Sequence, residues 1–424
     1  MGHILSSTSY NEEHQNLASS MNAYFMNFKV ENKIISEETI NLITFNLEKG
    51  YIDSVGTVID DVLKEIDSAP LNIAVTGESG VGKSSFINAL RGVGYEGEGA
   101  APTDVVETTM KATPYKHPRF PNVTLWDLPG IGTTNFPPQD YLRKVKFDEY
   151  DFFIIISATR FKENDAQLAK AIKGMKKNFY FVRTKVDIDL RNERKCKPKN
   201  FKRGEILQKI RNNCLVSFRQ LKMDEPQIFL VSTHDISKYD FPILIDTLLK
   251  DLPAQKRHMF MLSLPNVTKE AIERKRGSLG QKIWLEALKA GAWATLPMVG
   301  IFNDNDIKKL EASLKEYRVL FGVDDITLQN VAEKLQVPVE GLQAIIESPN
   351  LLEKKKGESR EERLLKYVER FCSVSGSLLG ADLHFRETFY LQLHFLDTVA
   401  NDARTLLKKT VSETKLTCHW NKSI

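Results

Sequence analysis

The chain contains the octapeptide Gly77-Glu-Ser-Gly-Val-Gly-Lys-Ser84, which follows the apolar run 71–76 and precedes a predicted helix over residues 84–90. In such a glycine-rich turn, consecutive backbone N–H groups converge on an anion. Lys83 adds positive charge toward the β- and γ-phosphates, which gives it a part in catalysis, and the Ser84 hydroxyl can bind Mg²⁺. The sequence therefore predicts a phosphate-binding loop (P-loop) of Gly77, Glu78, Ser79, Gly80, Val81, Gly82, Lys83, Ser84 and Ser85.

A second motif, Trp126-Asp-Leu-Pro-Gly130, lies at the end of another apolar run. Asp127 is expected to hold Mg²⁺ through water, and the N–H of Gly130 to sense the γ-phosphate. In open α/β sheets, ligands bind at the carboxyl ends of the strands. We therefore expect this motif to lie beside the P-loop, although Asp127 alone would more often be a turn former.

A third motif, Thr184-Lys185-Val186-Asp187, ends the apolar run 178–184 and indicates which base is bound. The Asp187 carboxylate could accept two parallel hydrogen bonds from N1 and the exocyclic amine of guanine, a donor pair that adenine lacks. Ser232 ends the run 227–232 and is placed for a backbone contact to the guanine carbonyl. The sequence thus favours GTP and GDP over ATP.

Length and composition exclude several classes of protein. A chain of 424 residues with 42% hydrophobic and 27% charged residues is long enough for two folded domains. The most apolar segment, 283–302, is interrupted by Glu286, Lys289 and Pro297, so we predict a buried helix or helical hairpin and no membrane span. A net charge of +4 does not indicate nucleic-acid binding, and the basic segment 191–203 is predicted to be a solvated insertion. Four widely spaced cysteines suit a reducing compartment.

Hydrophobic patterns predict three parts. Residues 71–252 alternate strands with amphipathic segments, with strands at 71–76, 122–128, 151–157, 178–184 and 227–232 and an edge strand near 112–116. Continuous apolar runs of this kind are typical of a doubly wound α/β sheet. Residues 1–70 and 253–424 carry helical patterns, except that residues 1–22 are expected to be poorly ordered. We expect the two amino-terminal helices, one capped by Ser36, to pack on the carboxyl-terminal bundle.

The chain resembles the interferon-inducible immunity-related GTPases nearly end to end. The resemblance lies in four blocks, Leu71-Asn-Ile-Ala-Val-Thr-Gly-Glu-Ser-Gly, Trp126-Asp-Leu-Pro-Gly-Ile-Gly-Thr-Thr-Asn-Phe, Glu149-Tyr-Asp-Phe-Phe-Ile-Ile-Ile-Ser and Phe179-Tyr-Phe-Val-Arg-Thr-Lys. It implies a Ras-like P-loop GTPase domain and a discontinuous all-α domain built from both termini. Lys83, where regulatory members of the family have Met, implies the effector class.

Hydrolysis of GTP is expected to depend on a catalytic group that the nucleotide-binding motifs do not supply. Ile131 stands where many small GTPases have a glutamine that orients the attacking water, and an aliphatic side chain cannot do this. Thr109 or Thr108 is expected to complete the Mg²⁺ shell, with Thr103 less favoured. By resemblance, Glu107 is a switch glutamate that acts in catalysis when two GTPase domains dimerise.

The amino terminus, Met1-Gly-His-Ile-Leu-Ser6, matches the acceptor pattern for N-myristoylation of Gly2. By resemblance, the chain is expected to be a cytoplasmic, self-assembling, dynamin-like GTPase of innate immunity. It would associate reversibly with membranes such as the endoplasmic reticulum or pathogen-containing vacuoles, and with related regulatory and effector GTPases. Two alternatives are open: a non-hydrolysing, GTP-gated binding module and, less favoured because of Asp187, an ATP-dependent P-loop enzyme.

Overall fold

The computed structural model describes residues 2–103, 111–129, 145–159, 162–220, 226–292, 304–353, 362–364, 366–367 and 387–420. The chain divides into two compact units. A helical unit comprises Met1–Asp67, Pro253–Leu262 and Asn266–Ile424, and an α/β unit comprises Ser68–Leu252 with Ser263–Pro265. The helical unit is therefore built from both ends of the chain.

The helices are numbered along the chain. Those at the amino terminus are α1 (Gly2–Met26), α2 (Glu37–Glu48) and α3 (Ile52–Ser68). Those of the α/β unit are α4 (Lys83–Arg91), α5 (Glu163–Gly174), α6 (Val186–Cys196), α7 (Arg203–Gln220) and α8 (Phe241–Asp251). They are followed by α9 (Ala254–Ser263), α10 (Lys269–Ala292), α11 (Asp304–Phe321), α12 (Asp325–Leu335), α13 (Val339–Gln343) and α14 (Glu387–Trp420).

Six strands of the described chain form one sheet, in the order β2-β3-β1-β4-β5-β6. They are β1 (Leu71–Thr76), β2 (Thr113–Lys116), β3 (Val123–Asp127), β4 (Phe152–Ser157), β5 (Asn178–Arg183) and β6 (Ile228–Leu230). The edge strand β2 runs antiparallel to β3, and the other pairs are parallel. This sheet confirms the predicted Ras-like α/β fold class, although β6 is shorter than the predicted 227–232.

Parallel register brings the motif-bearing ends of the strands to one edge of the sheet. Val75 pairs with Asp127, and Ser157 pairs with Arg183, which in turn pairs with Leu230. The central strand β4 is mostly apolar and all six of its residues are buried, as expected where helices cover both faces of a sheet. The loops that follow β1, β3, β5 and β6 therefore meet at this edge.

Helix α2 begins at the predicted cap and buries an apolar face. Ser36 caps α2 by accepting a hydrogen bond from the backbone N–H of Thr39 at 3.1 Å. The inner face of α2 contains Ile40, Ile43 and Leu47, which are at most 2% exposed. The helix stops at a left-handed glycine, Gly50, with φ +71°.

The structure differs from the sequence prediction at the amino terminus, where residues 2–26 form a helix instead of a poorly ordered segment. The physical reason is an apolar face that the polar composition of this segment obscures. Ala18, Met21 and Phe25 recur at helical spacing and are at most 2% exposed. Helix α1 packs against α2, and Gln15, Asn16 and Ser19 are among its exposed positions.

Helix α10 joins the two sequence-distant parts of the helical unit. Trp284, fully buried, stacks on Tyr24 with ring centroids 5.0 Å apart and meets Phe25 edge-on at 5.7 Å. The Gln281 side chain accepts from the N–H of Ile34 at 3.1 Å and donates to the carbonyl of Asn32 at 2.8 Å. These contacts satisfy the backbone of the segment between α1 and α2.

Helix α14 packs against α10 and α11. Its buried face includes Leu396, Ala400 and Ala403. Two ion pairs at 2.6 Å, Arg276 with Asp397 and Arg404 with Glu273, tie α14 to α10. Among the described residues, no helix has both the length and the apolar character required for a membrane span.

A buried histidine lies among charged groups inside the helical unit. His258 of α9 is 1% exposed, and its Nδ1 lies 2.7 Å from the Ser278 hydroxyl of α10. Its Nε2 lies 3.8 Å from Oδ1 of Asp67 in α3, and Lys282 donates to both oxygens of that carboxylate at 2.8 and 2.7 Å. Burial, with the charge of Lys282, lowers the pKa of His258 from 6.5 to about 4, although Asp67 opposes the shift.

We predict that acid destabilises the helical unit through His258. Between pH 4 and 6.5 the unfolded chain binds more protons than the folded chain, so stability is complete above pH 6.5 and falls as pH drops toward 4. The free energy of unfolding should fall by about 3 kcal/mol over this range. Urea titrations followed by hydrogen exchange of α10 would measure it. His258→Gln should remove this slope, and equal slopes in both proteins would contradict the assignment.

Candidate functional site

The P-loop between β1 and α4 requires glycine where the backbone approaches its neighbours. Gly77 has φ +143°, and a Cβ there would lie 2.1 Å from the carbonyl oxygen of Ile156 on β4. Gly82 precedes α4 with φ +98°, which side chains rarely adopt. Ser79 and Gly80 at the loop tip are exposed, and Ser85 is half-buried in α4. The result is an open backbone cradle at a helix amino terminus, which suits a polyphosphate.

Lys83 lies within this cradle and is 7% exposed. Its ammonium group donates to the carbonyl oxygens of Gly77 and Glu78 at 3.2 and 3.1 Å. These contacts hold the charge inside the loop, where converging N–H groups also favour an anion. The predicted position of Lys83 next to the phosphates is consistent with this geometry.

Ser84 and Asp127 meet across the strand ends. The Ser84 hydroxyl donates to Oδ2 of Asp127 at 2.9 Å, and Asp127 is 1% exposed. A hydroxyl and a carboxylate beside a phosphate cradle match the oxygen donors of Mg²⁺, which keeps several waters and uses substrate phosphates as further ligands. Within the described residues no cluster of three or more His, Cys, Asp or Glu side chains could hold a metal by itself. The donor set therefore fits a nucleotide-borne Mg²⁺.

The base-side motif contacts the P-loop directly. The Thr184 hydroxyl donates to the carbonyl of Val81 at 2.7 Å and lies 3.3 Å from the carbonyl of Ser157. Lys185 donates from Nζ to the carbonyl of Gly80 at 2.7 Å. Thr184 and Lys185 thus connect the end of β5 to the tip of the P-loop.

Asp187 and Ser232 lie just beyond the ends of β5 and β6, at the far end of the site. Asp187 is the second residue of α6, with a side chain 18% exposed and 3.9 Å from Arg191. Ser232 is fully buried after β6, and its Oγ accepts from the N–H of His234 at 3.3 Å. The neighbouring Val231 N–H donates to the carbonyl of Arg183 at 2.9 Å, which holds the two loops side by side.

Several predicted residues lie outside the described part of the chain. These are Glu107, Thr108, Thr109 and Gly130, together with Ile131. Gly2 is the first residue of α1. Their predicted roles in catalysis, metal binding, phosphate sensing and lipidation stay predictions.

The sequence analysis did not single out two residues beside the P-loop, Lys162 and Asp165. Lys162 pairs with Glu78 at 2.5 Å, and its N–H donates to Asp165 at 3.1 Å, which caps helix α5. Burial raises the pKa of Asp165 to about 7, and the charge of Glu78 adds to the shift. The acidic residues Glu163 and Asp165 are typical of the first turn of a helix, but nothing in the sequence indicates the contact between Lys162 and Glu78.

The fold and the site define a P-loop nucleotide-binding protein of the α/β class with a helical domain. The model of the Interferon-inducible GTPase (IIGP) family matches residues 36–410. Interferon-gamma-inducible GTPase 10 of Mus musculus is 52% identical over 396 residues, covering 93% of this chain and 95% of that protein. T-cell-specific guanine nucleotide triphosphate-binding protein 2 of Mus musculus is 54% identical over 400 residues, covering 94% and 96%.

The chain therefore belongs to the interferon-inducible GTPase family. It binds guanine nucleotide and is a GTPase of interferon-induced immunity. The crystal structure of Toc33 from Arabidopsis thaliana in complex with Mg²⁺ and GMPPNP aligns at a TM-score of 0.31 with 16% identity, covering 48% of this chain and 91% of that chain. So remote a similarity adds nothing to the assignment, which rests on the sequence relatives.

We predict that Lys83→Ala weakens GTP binding by about a hundredfold, because a charge-assisted contact to the phosphates is lost. Titration calorimetry with GTP in magnesium buffer measures the change. Lys177→Ala is the matched control, because Lys177 donates to the carbonyl of Tyr150 at 2.7 Å, before β4 begins. GTP affinity in Lys83→Ala equal to that of the control would refute the placement of the phosphates.

Proposed function

We propose that this chain is a self-assembling, dynamin-like GTPase that acts in cell-autonomous immunity at intracellular membranes, such as those of pathogen-containing vacuoles. The main support for binding of a nucleotide is the contact between the P-loop and the loop after β5. Thr184 reaches Val81, and Lys185 reaches Gly80, at 2.7 Å each. One nucleotide can therefore span the cradle and the base loops.

In this proposal the P-loop amides and Lys83 hold the β- and γ-phosphates, and Ser84 and Asp127 hold Mg²⁺, Asp127 through water. Thr109 or Thr108 completes the metal shell, and the N–H of Gly130 contacts the γ-phosphate. Asp187 accepts from guanine, and Ser232 contacts the guanine carbonyl through its backbone. Bound Mg²⁺ supplies charge neutralisation for phosphoryl transfer. The support is the 2.9 Å contact between Ser84 and Asp127 and the position of both at the strand ends.

Turnover is proposed to depend on self-association through the GTPase domain. Phosphoryl transfer requires positioning and charge neutralisation, together with a group that orients the attacking water. Ile131 cannot provide that group, because its side chain is aliphatic. We assign the catalytic contribution to Glu107, acting in a dimer of two GTPase domains. Hydrolysis is preferred to the GTP-gated binding module because the relatives are named GTPases.

Membrane association is proposed to begin at Gly2 within the pattern Met1-Gly-His-Ile-Leu-Ser6. A single myristoyl chain gives only marginal, reversible binding, so assembly of several chains would be needed for stable residence. Related regulatory and effector GTPases of the family are the expected partners. The chain would otherwise be cytoplasmic.

We predict that GTP turnover per molecule rises with protein concentration, by about tenfold or more, because the missing catalytic group is supplied on self-association. Phosphate release measured from submicromolar to high micromolar protein checks this. Glu107→Ala should flatten the dependence while it leaves GTP affinity unchanged. A turnover rate independent of concentration in the unsubstituted protein would rule out catalysis by self-association.

We predict that Gly2→Ala removes the chain from membranes, because alanine at this position cannot be N-myristoylated. Flotation of chains co-expressed with an N-myristoyltransferase would show several-fold less membrane-bound protein. His3→Ala is the control, since that position of the motif accepts any residue. Equal flotation of Gly2→Ala and His3→Ala would show that Gly2 is not the anchor.

A further inference from the structure

The turn that joins β5 to α6 has an unusual backbone conformation. Lys185 has φ +60° and ψ 24°, the left-handed region that residues with side chains rarely adopt. Such a conformation persists only where the surroundings hold it in place. Because Asp187 follows two residues later, the direction of its carboxylate depends on this turn.

Arg183, the last residue of β5, spans the turn with its guanidinium group. Its side chain is only 8% exposed. One terminal nitrogen donates to the carbonyl oxygen of Thr184, and the other donates to Oδ2 of Asp189 at 2.6 Å. Asp189 lies in the first turn of α6, so a single planar group fixes the strand end, the turn and the helix start.

The pairing of Arg183 with Asp189 also changes the electrostatic environment of Asp187. Asp187 and Asp189 both lie in the first turn of α6. Burial raises the pKa of Asp189, and the charge of Asp187 adds to the shift, while Arg183 opposes it. Arg183 thus neutralises the carboxylate that repels Asp187. Arg191, 3.9 Å from Asp187, has a side chain that is 67% exposed, so its attraction is screened by water.

We propose that Arg183 and Asp189 are positioning residues for guanine recognition. The pair holds the Lys185 turn so that the Asp187 carboxylate faces N1 and the exocyclic amine of the base. It contacts neither the base nor the phosphates. This inference rests on the proposed role of Asp187 as the guanine acceptor.

The ratio of GTP to ITP affinity tests the inference, because inosine lacks the exocyclic amine and leaves Asp187 with one hydrogen bond instead of two. The unsubstituted protein should prefer GTP to ITP by about tenfold or more. In Arg183→Met and Asp189→Ala the ratio should fall to about two, because a misdirected carboxylate cannot make both bonds. The double variant should have the same ratio as either single variant, since the two residues act as one pair.

Tyr180→Phe is the matched control. Tyr180 lies on the same strand β5 and donates to Asp251 of α8 at 2.6 Å, so the substitution removes a comparable contact away from the turn. It should keep the GTP/ITP ratio of the unsubstituted protein. Circular dichroism and thermal melts show which variants fold.

Equal losses of GTP and ITP affinity in Arg183→Met and Asp189→Ala, with an unchanged ratio, would show that the pair only stabilises the domain and would overturn the inference. If Arg183→Met does not fold, the GTP/ITP affinity ratios of Arg183→Lys and Asp189→Ala test the positioning role instead. Asp187→Asn separates the two proposals. If Asp187→Asn keeps the GTP/ITP affinity ratio of the unsubstituted protein, Asp187 is not the guanine acceptor. If Asp187→Asn loses that ratio while the Arg183 and Asp189 variants keep it, only the positioning role is overturned.

Discussion

The hydrogen bond from the Thr184 hydroxyl to the Val81 carbonyl joins the two halves of the nucleotide site. At 2.7 Å and fully buried, it connects the loop after β5 to the loop after β1, although β4 lies between those strands in the sheet. A buried carbonyl must be paired, so this bond fixes the spacing between phosphate cradle and base loop. In the proposed site, one edge of the sheet therefore carries both guanine selection and phosphate binding.

The same edge explains how widely spaced motifs come to lie together. Residues 77–85, 127, 184–187 and 232 are far apart in sequence, and parallel register places them side by side. The helical unit is held together differently, because its two parts come from opposite ends of the chain. There Trp284 packs between aromatic residues of α1, and Gln281 pairs with the backbone beyond it. Burial of the amino-terminal helices thus depends on the carboxyl-terminal part of the chain.

Much of this architecture could be predicted because its causes are local. Apolar runs predict buried strands, Ser36 predicts a helix start, and the glycines of the P-loop predict a backbone cradle. The helix over residues 2–26 could not be predicted from composition, because the buried apolar residues of its described part, Ala18, Met21 and Phe25, are dispersed among polar residues. The pairs Glu78–Lys162 and Arg183–Asp189 could not be predicted either. They depend on how loops and helix starts approach one another, and sequence spacing does not encode that approach.

One guanine nucleotide is proposed to bridge the P-loop and the two base loops. Hydrogen exchange of the full chain, with and without GDP and Mg²⁺, measures whether it does. Residues 77–85, 184–189 and 231–235 should become protected together, with the same nucleotide concentration dependence in all three segments. Protection of the P-loop alone, or protection of the segments at different concentrations, would contradict it.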